Sequence, residues 1–89
     1  MDKPAIVALC NAAIMDVLSV DVSGMSPTGA VGEQFSIDSL GMIELCMAIE
    51  ATLEDENGVV IKIEDDRMAE IKSLRGLYDV VEELVQAAA

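Results

Sequence analysis

The sequence predicts an all-α fold, a small four-helix bundle of three long helices and one short helix, with a long loop between the first two helices. Apolar residues recur at three- and four-residue spacing in three separate stretches, which is the period of a helix face. Residues 19–37 interrupt that period with Gly24, Pro27, Gly29 and Gly32 set among Ser, Thr and Asp. The chain has 53% hydrophobic residues but one Phe, one Tyr and no Trp, so its core must be aliphatic, with six methionines to adapt it. Eighty-nine residues set the size of one domain, residues 1–89, which buries roughly 60–65% of its unfolded surface.

The first helix is expected from Pro4, which suits a first turn, to Leu18, with Ile6, Cys10, Ala13, Ile14, Val17 and Leu18 at helical spacing. Val7, Leu9 and Met15 lie on its other side, so it is apolar almost all round; a monomer is expected, but this breadth leaves a neighbour or a dimer open. In the following loop Val22, Met25, Val31 and Phe35 are the expected anchors to the core. The second helix is expected over Ser39–Leu53 and carries two apolar stripes. Met42, Leu45, Cys46, Ile49 and Leu53 form the core stripe; Leu40, Ile43 and Met47 lie elsewhere, beside Glu44, Glu50 and Glu54. This second stripe reads as a docking surface in which charge steers and methyl groups seat, unless the helix is wedged between neighbours and buries both. A turn at Asn57-Gly58 and an extended Val59–Ile63 segment follow. A short helix from Asp65 or Asp66 to Ile71 is expected to use the aspartates as caps and to turn Met68 and Ile71 inward. Ser73 then caps a last helix with Leu74, Leu77, Tyr78, Val81, Leu84 and Val85 inward and Asp79, Glu82 and Glu83 in water, fraying at Ala87-Ala88-Ala89.

Charge narrows the function. The net charge is −12, from 17 acids and 5 bases, and from Asp38 to Val60 there are acids and no base. Nucleic acid and anionic membranes are poor partners for such a surface, whereas proteins with Arg/Lys patches are good ones. The apolar run from Ala5 to Met15 is too short to span a membrane, and Asp2-Lys3 makes a poor signal-peptide start, so the cytoplasm is the expected compartment. Cys10 and Cys46 lie in apolar helical stretches as structural thiols, and without histidine they make no zinc site. Enzymatic chemistry is disfavoured: the chain has no histidine, no metal cluster and no glycine-rich phosphate loop.

The chemistry that remains centres on Asp38-Ser39-Leu40, where a serine and a carboxylate open the second helix. Either side chain could simply cap the helix. A helix N-terminus also favours a phosphate, so Ser39 stands well placed to carry a phosphodiester, while no histidine exists to make it a hydrolytic nucleophile. Asp55, Asn57, Gly58 and Glu64 match ligand and turn positions of an EF-hand loop with Val60 at its apolar position, but Leu53 stands where the first carboxylate ligand belongs.

At Asp38-Ser39-Leu40, with Phe35 upstream and Glu44-Leu45 and Met47-Ala48-Ile49-Glu50 downstream, the chain resembles the acyl carrier protein family. The resemblance implies a helical carrier with no catalytic residues, whose Ser39 bears 4′-phosphopantetheine transferred from coenzyme A by a phosphopantetheinyl transferase. It further implies acyl thioesters on that arm, and docking to ketosynthase, acyltransferase and other acyl-processing enzymes through Asp38, Leu40, Ile43, Glu44, Met47 and Glu50. Gly41 stands where fatty-acid carriers tend to have an acid, Ser36 where a glycine is usual, and the 53–63 stretch is longer than in those carriers. These departures lean toward a polyketide or other secondary pathway over housekeeping lipid synthesis. The alternatives are an aminoacyl or D-alanyl carrier of the same fold, a non-carrier acidic interaction module, and a degenerate calcium-binding module.

Overall fold

A computed structural model describes residues 2–22 and 39–88, with Ser39 described by its backbone alone. The 23–38 part of the expected loop, with the anchors Met25, Val31 and Phe35 and with Ser36 and Asp38, lies outside the described residues. Helices α1 (Lys3–Leu18), α2 (Ser39–Asn57), α3 (Asp65–Ala69) and α4 (Leu74–Ala88) follow in order, with no strand among the described residues. The expected small helical bundle is the fold observed.

Helix α1 starts one residue earlier than Pro4 because Asp2 is its N-cap, its carboxylate accepting from the Ala5 N–H at 3.0 Å. It ends where Ser19 turns left-handed at φ 57° and donates its N–H to the Met15 carbonyl at 3.0 Å. Ile6, Cys10, Ala13 and Ile14 are buried, and α1 packs against both α2 and α4. The polar residue within its apolar run is used: the Tyr78 hydroxyl donates to Asn11 Oδ1 at 2.6 Å, joining α4 to α1. Just past α1, the anchor Val22 is buried in the core.

Helix α2 runs a turn beyond the expected end at Leu53. Leu53 is fully buried, and the Glu54-Asp55-Glu56-Asn57 run continues the helix until Gly58, at φ +65°, takes the left-handed position that glycine adopts freely. The Gly58 N–H then bonds the Glu54 carbonyl and the Val59 N–H the Leu53 carbonyl, each at 3.1 Å. Beyond it Ile63 is buried, Val59 and Ile61 half-buried, and Val60 and Lys62 exposed, the alternation of an extended segment.

Helix α3 is shorter than expected and is capped differently. Glu64 occupies the N-cap position without a side-chain bond, Asp65 and Asp66 sit in the first turn, and the helix ends at Ala69. Bonds from the Glu70 N–H to Arg67 and from the Ile71 N–H to Met68 tighten the exit, so Ile71 is buried from outside the helix. Ser73 caps α4 as expected, its Oγ accepting from the Gly76 N–H at 3.0 Å. Leu74, Leu77, Tyr78, Val81 and Val85 are buried, as is Val80, which the three-four pattern leaves out; Leu84 is half-buried. Ala87 and Ala88 are helical rather than frayed.

The acids of α4 are only partly in water. Lys3 Nζ lies 2.6 Å from Asp79 and 3.5 Å from Glu82, and Arg67 of α3 pairs with Glu83. These contacts fasten the start of α1 and the short α3 to α4.

Candidate functional site

The candidate site is the start and outer face of α2. Ser39 is the first residue of the helix, so the backbone around it belongs to the turn whose N–H groups have no carbonyl four residues back within the helix. The two stripes separate as the spacing predicts. Leu45, Cys46, Ile49 and Leu53 are buried and Met42 half-buried, whereas Leu40, Ile43 and Met47 remain 62%, 41% and 60% exposed. A helix wedged between neighbours would have covered both; this one leaves a row of three apolar side chains in water beside the exposed Glu44.

Glu44 and Glu50 look alike in sequence and differ in structure. Glu44 is exposed, but Glu50 is half-buried and its Oε2 accepts from the backbone N–H of Ile63 at 2.7 Å. That bond holds the segment between α2 and α3 against the helix and presents Ile63 to the core. Sequence reasoning missed it because the partner is a backbone group 13 residues away, which no side-chain pattern announces.

Beneath this face both thiols are shut away. Burial, and then the nearby Cys46, push the Cys10 thiol up to about 12. Burial and then the Glu50 charge push Cys46 to about 11. Both are free and buried, the placement expected of structural cysteines. The EF-hand correspondence does not survive the geometry. Asp55 and Asn57 belong to α2 instead of a loop, Val60 is 69% exposed where such a loop would bury it, and no acidic cluster among the described residues is arranged to hold a metal ion.

Comparison with known proteins supplies the class. The chain is 32% identical over 87 residues to the acyl carrier protein of Thermosynechococcus vestitus, an alignment that spans 98% of this chain and all of the relative. No family model matches the sequence. At that identity and coverage the chain belongs to the acyl carrier protein family. Its role is therefore that of a carrier, and it is not an enzyme; the non-carrier alternatives fall away. No helix among the described residues is long and apolar enough to cross a membrane.

Proposed function

We propose that residues 1–89 form one carrier domain, acting as a monomer, whose Ser39 bears 4′-phosphopantetheine. Members of this family carry that arm, and the terminal thiol would hold acyl intermediates as thioesters. The observation that carries the reading is the Asp38-Ser39-Leu40 sequence at the start of α2, in a chain similar to an acyl carrier protein along nearly its whole length. A phosphodiester on Ser39 would lie at the positive end of the α2 dipole. The chain's own contribution is position: it would hold the arm at the head of a rigid helix and offer partners the face that follows.

That face supports docking by Leu40, Ile43, Glu44 and Met47, with Asp38 at its edge in sequence and Glu50 half-buried behind it. The modifying partner would be a phosphopantetheinyl transferase, and the loading and extending partners an acyltransferase and a ketosynthase with basic patches, met in the cytoplasm. Gly41 and Ser36 support a polyketide or other secondary pathway over housekeeping lipid synthesis.

Intact-protein mass spectrometry after incubation with a promiscuous phosphopantetheinyl transferase, magnesium and coenzyme A tests the reading. One added phosphopantetheine mapping to Ser39, and none on a folded Ser39→Ala variant, is the expected result. Modification persisting at Ser36 in that variant would sink the assignment. Incubation of the loaded protein with acyltransferases specific for malonyl groups, or with a D-alanine ligase, then distinguishes the cargo classes.

A further inference from the structure

Away from the start of α2, α1 and the C-terminal end of α2 enclose an open groove of about 430 Å³. Its apolar lining comes from α1, chiefly Leu9, Ala12 and Ala13, and its polar lining from Asp16 on α1 and Thr52, Glu56 and Asn57 on α2. Thr52 lies 13 residues along α2 from Ser39, or about 20 Å at the rise of a helix, so the groove is a separate place from the arm's attachment point.

Three features of the groove have one common complement. First, both carboxylates sit in the last turn of their helix, where the dipole is negative and Lys or Arg is favoured; neither helix has a base there. Second, no cation of the two helices compensates them: α2 contains no base, and Lys3, the one base of α1, is committed to Asp79 and Glu82 on α4. Third, the groove offers two carboxylates, and no group of three or more candidate metal ligands occurs among the described residues. A long organic cation meets all three conditions, with its methylenes on Leu9 and Ala12 and its head between carboxylates.

We propose that this groove is a second docking surface, which takes Lys or Arg side chains from an amphipathic segment of a protein partner. A partner gripping it would leave the outer face of α2 near Ser39 uncovered, so a carrier could be retained at one place while its arm is served at another. Charge complementarity selects the occupant: apolar floor, anionic rim, and a −12 chain that repels its own copies.

The test is an amide chemical-shift titration of the full chain with a synthetic amphipathic helix made of leucine and arginine. Shifts should appear at Leu9, Ala12, Asp16, Thr52 and Glu56 as a set that saturates separately from any at Leu40, Ile43 and Met47. Asp16→Asn combined with Glu56→Gln should weaken that binding about fivefold, the scale of two exposed charge pairs. The two exposed substitutions remove acids from helix C-termini, so the variant's thermal midpoint should equal or exceed the parent's and exclude misfolding as the cause. Glu44→Gln should leave the groove affinity unchanged. Shifts confined to Leu40, Ile43 and Met47, an unaltered affinity in the double variant, or no binding would overturn the proposal. So would groove shifts that appear with protein concentration alone, which would make the occupant a second copy. None of these readouts depends on modification of Ser39.

Discussion

Replacing Glu50 by alanine removes the acceptor for the Ile63 N–H, a 2.7 Å bond to a carboxylate in a half-buried setting. Hydrogen bonds to charged groups contribute about 1.5–3 kcal/mol, and a donor left unpaired near the core costs about 1–3 kcal/mol. Ile63 is 2% exposed, so water reaches that N–H only if the segment moves. A loss of about 2 kcal/mol is expected, tempered by a few tenths from alanine's better helix propensity. For a domain of this size that corresponds to a fall of about 8–16 °C in Tm. Glu50→Gln keeps an oxygen acceptor and should lose less than half as much, while Glu44→Ala, on an exposed neighbour, should stay within about 0.5 kcal/mol of the parent. Urea unfolding of the three variants measures this, and hydrogen exchange at the Ile63 amide should accelerate in Glu50→Ala alone. Equal stability of Glu50→Ala and Glu44→Ala would refute the reasoning. On sequence alone a Glu44→Lys, Glu50→Lys pair is expected to disturb docking without disturbing stability; the Ile63 bond removes the second half of that expectation for Glu50.

Other outcomes follow from the backbone and the thiols. Gly58→Ala should cost about 1 kcal/mol, purely from φ +65°, because an added Cβ would meet nothing within 4 Å. Ser19→Gly should do the reverse at φ 57°, raising stability by up to about 1 kcal/mol; thermal melts with the same sign for both would contradict the left-handed assignment. With folded thiol pKa values of about 12 and 11 against an ordinary 9.0, Cys10 and Cys46 contribute no pH dependence below about 9. Between about 9 and 12 the unfolded chain releases protons that the folded chain retains, so stability should fall. In urea titrations across this range a Cys10→Ala, Cys46→Ala variant should show a shallower alkaline decline; an unchanged slope would place the proton release elsewhere.

The helices were legible because their core stripes are written locally. Leu45, Cys46, Ile49 and Leu53 face inward as their spacing requires, and Ser73 caps with a side chain chosen for it, whereas the Asp2 cap of α1 was not read. The end of α2 was misread because Leu53 is its last apolar residue, whereas the helix is stopped by the φ that Gly58 permits, not by loss of amphipathicity. The α3 start at Asp65 was legible but its cap was not, because three acids in a row, Glu64, Asp65 and Asp66, all suit a cap and Glu64 takes the position. The exposed row Leu40, Ile43 and Met47 could be read from sequence as a second stripe, but not the split between Glu44 and Glu50, because it depends on a contact between distant segments. The groove acids escaped notice for another reason: Asp16 and Glu56 are ordinary surface residues until their positions in the last turns of two facing helices are known.

Charge placement ties these features to a carrier's task. Three of the five bases, Lys3, Arg67 and Arg75, lie against acids of α4, and none belongs to α2. The acidity of α4 is thus partly spent inside the molecule, while the acids of α2 other than Glu50 face outward with no base beside them. A carrier that visits enzymes in turn must associate quickly and also leave. Uncompensated carboxylates raise encounter rates with basic surfaces, and exposed charge pairs add little to lifetime because water and salt screen them. Three separate apolar side chains, Leu40, Ile43 and Met47, offer far less area than the core stripe on the opposite side of the same helix. On the proposed function one helix would divide its work between faces: the buried stripe holds the bundle, and the exposed stripe would be weak enough to permit exchange of partners.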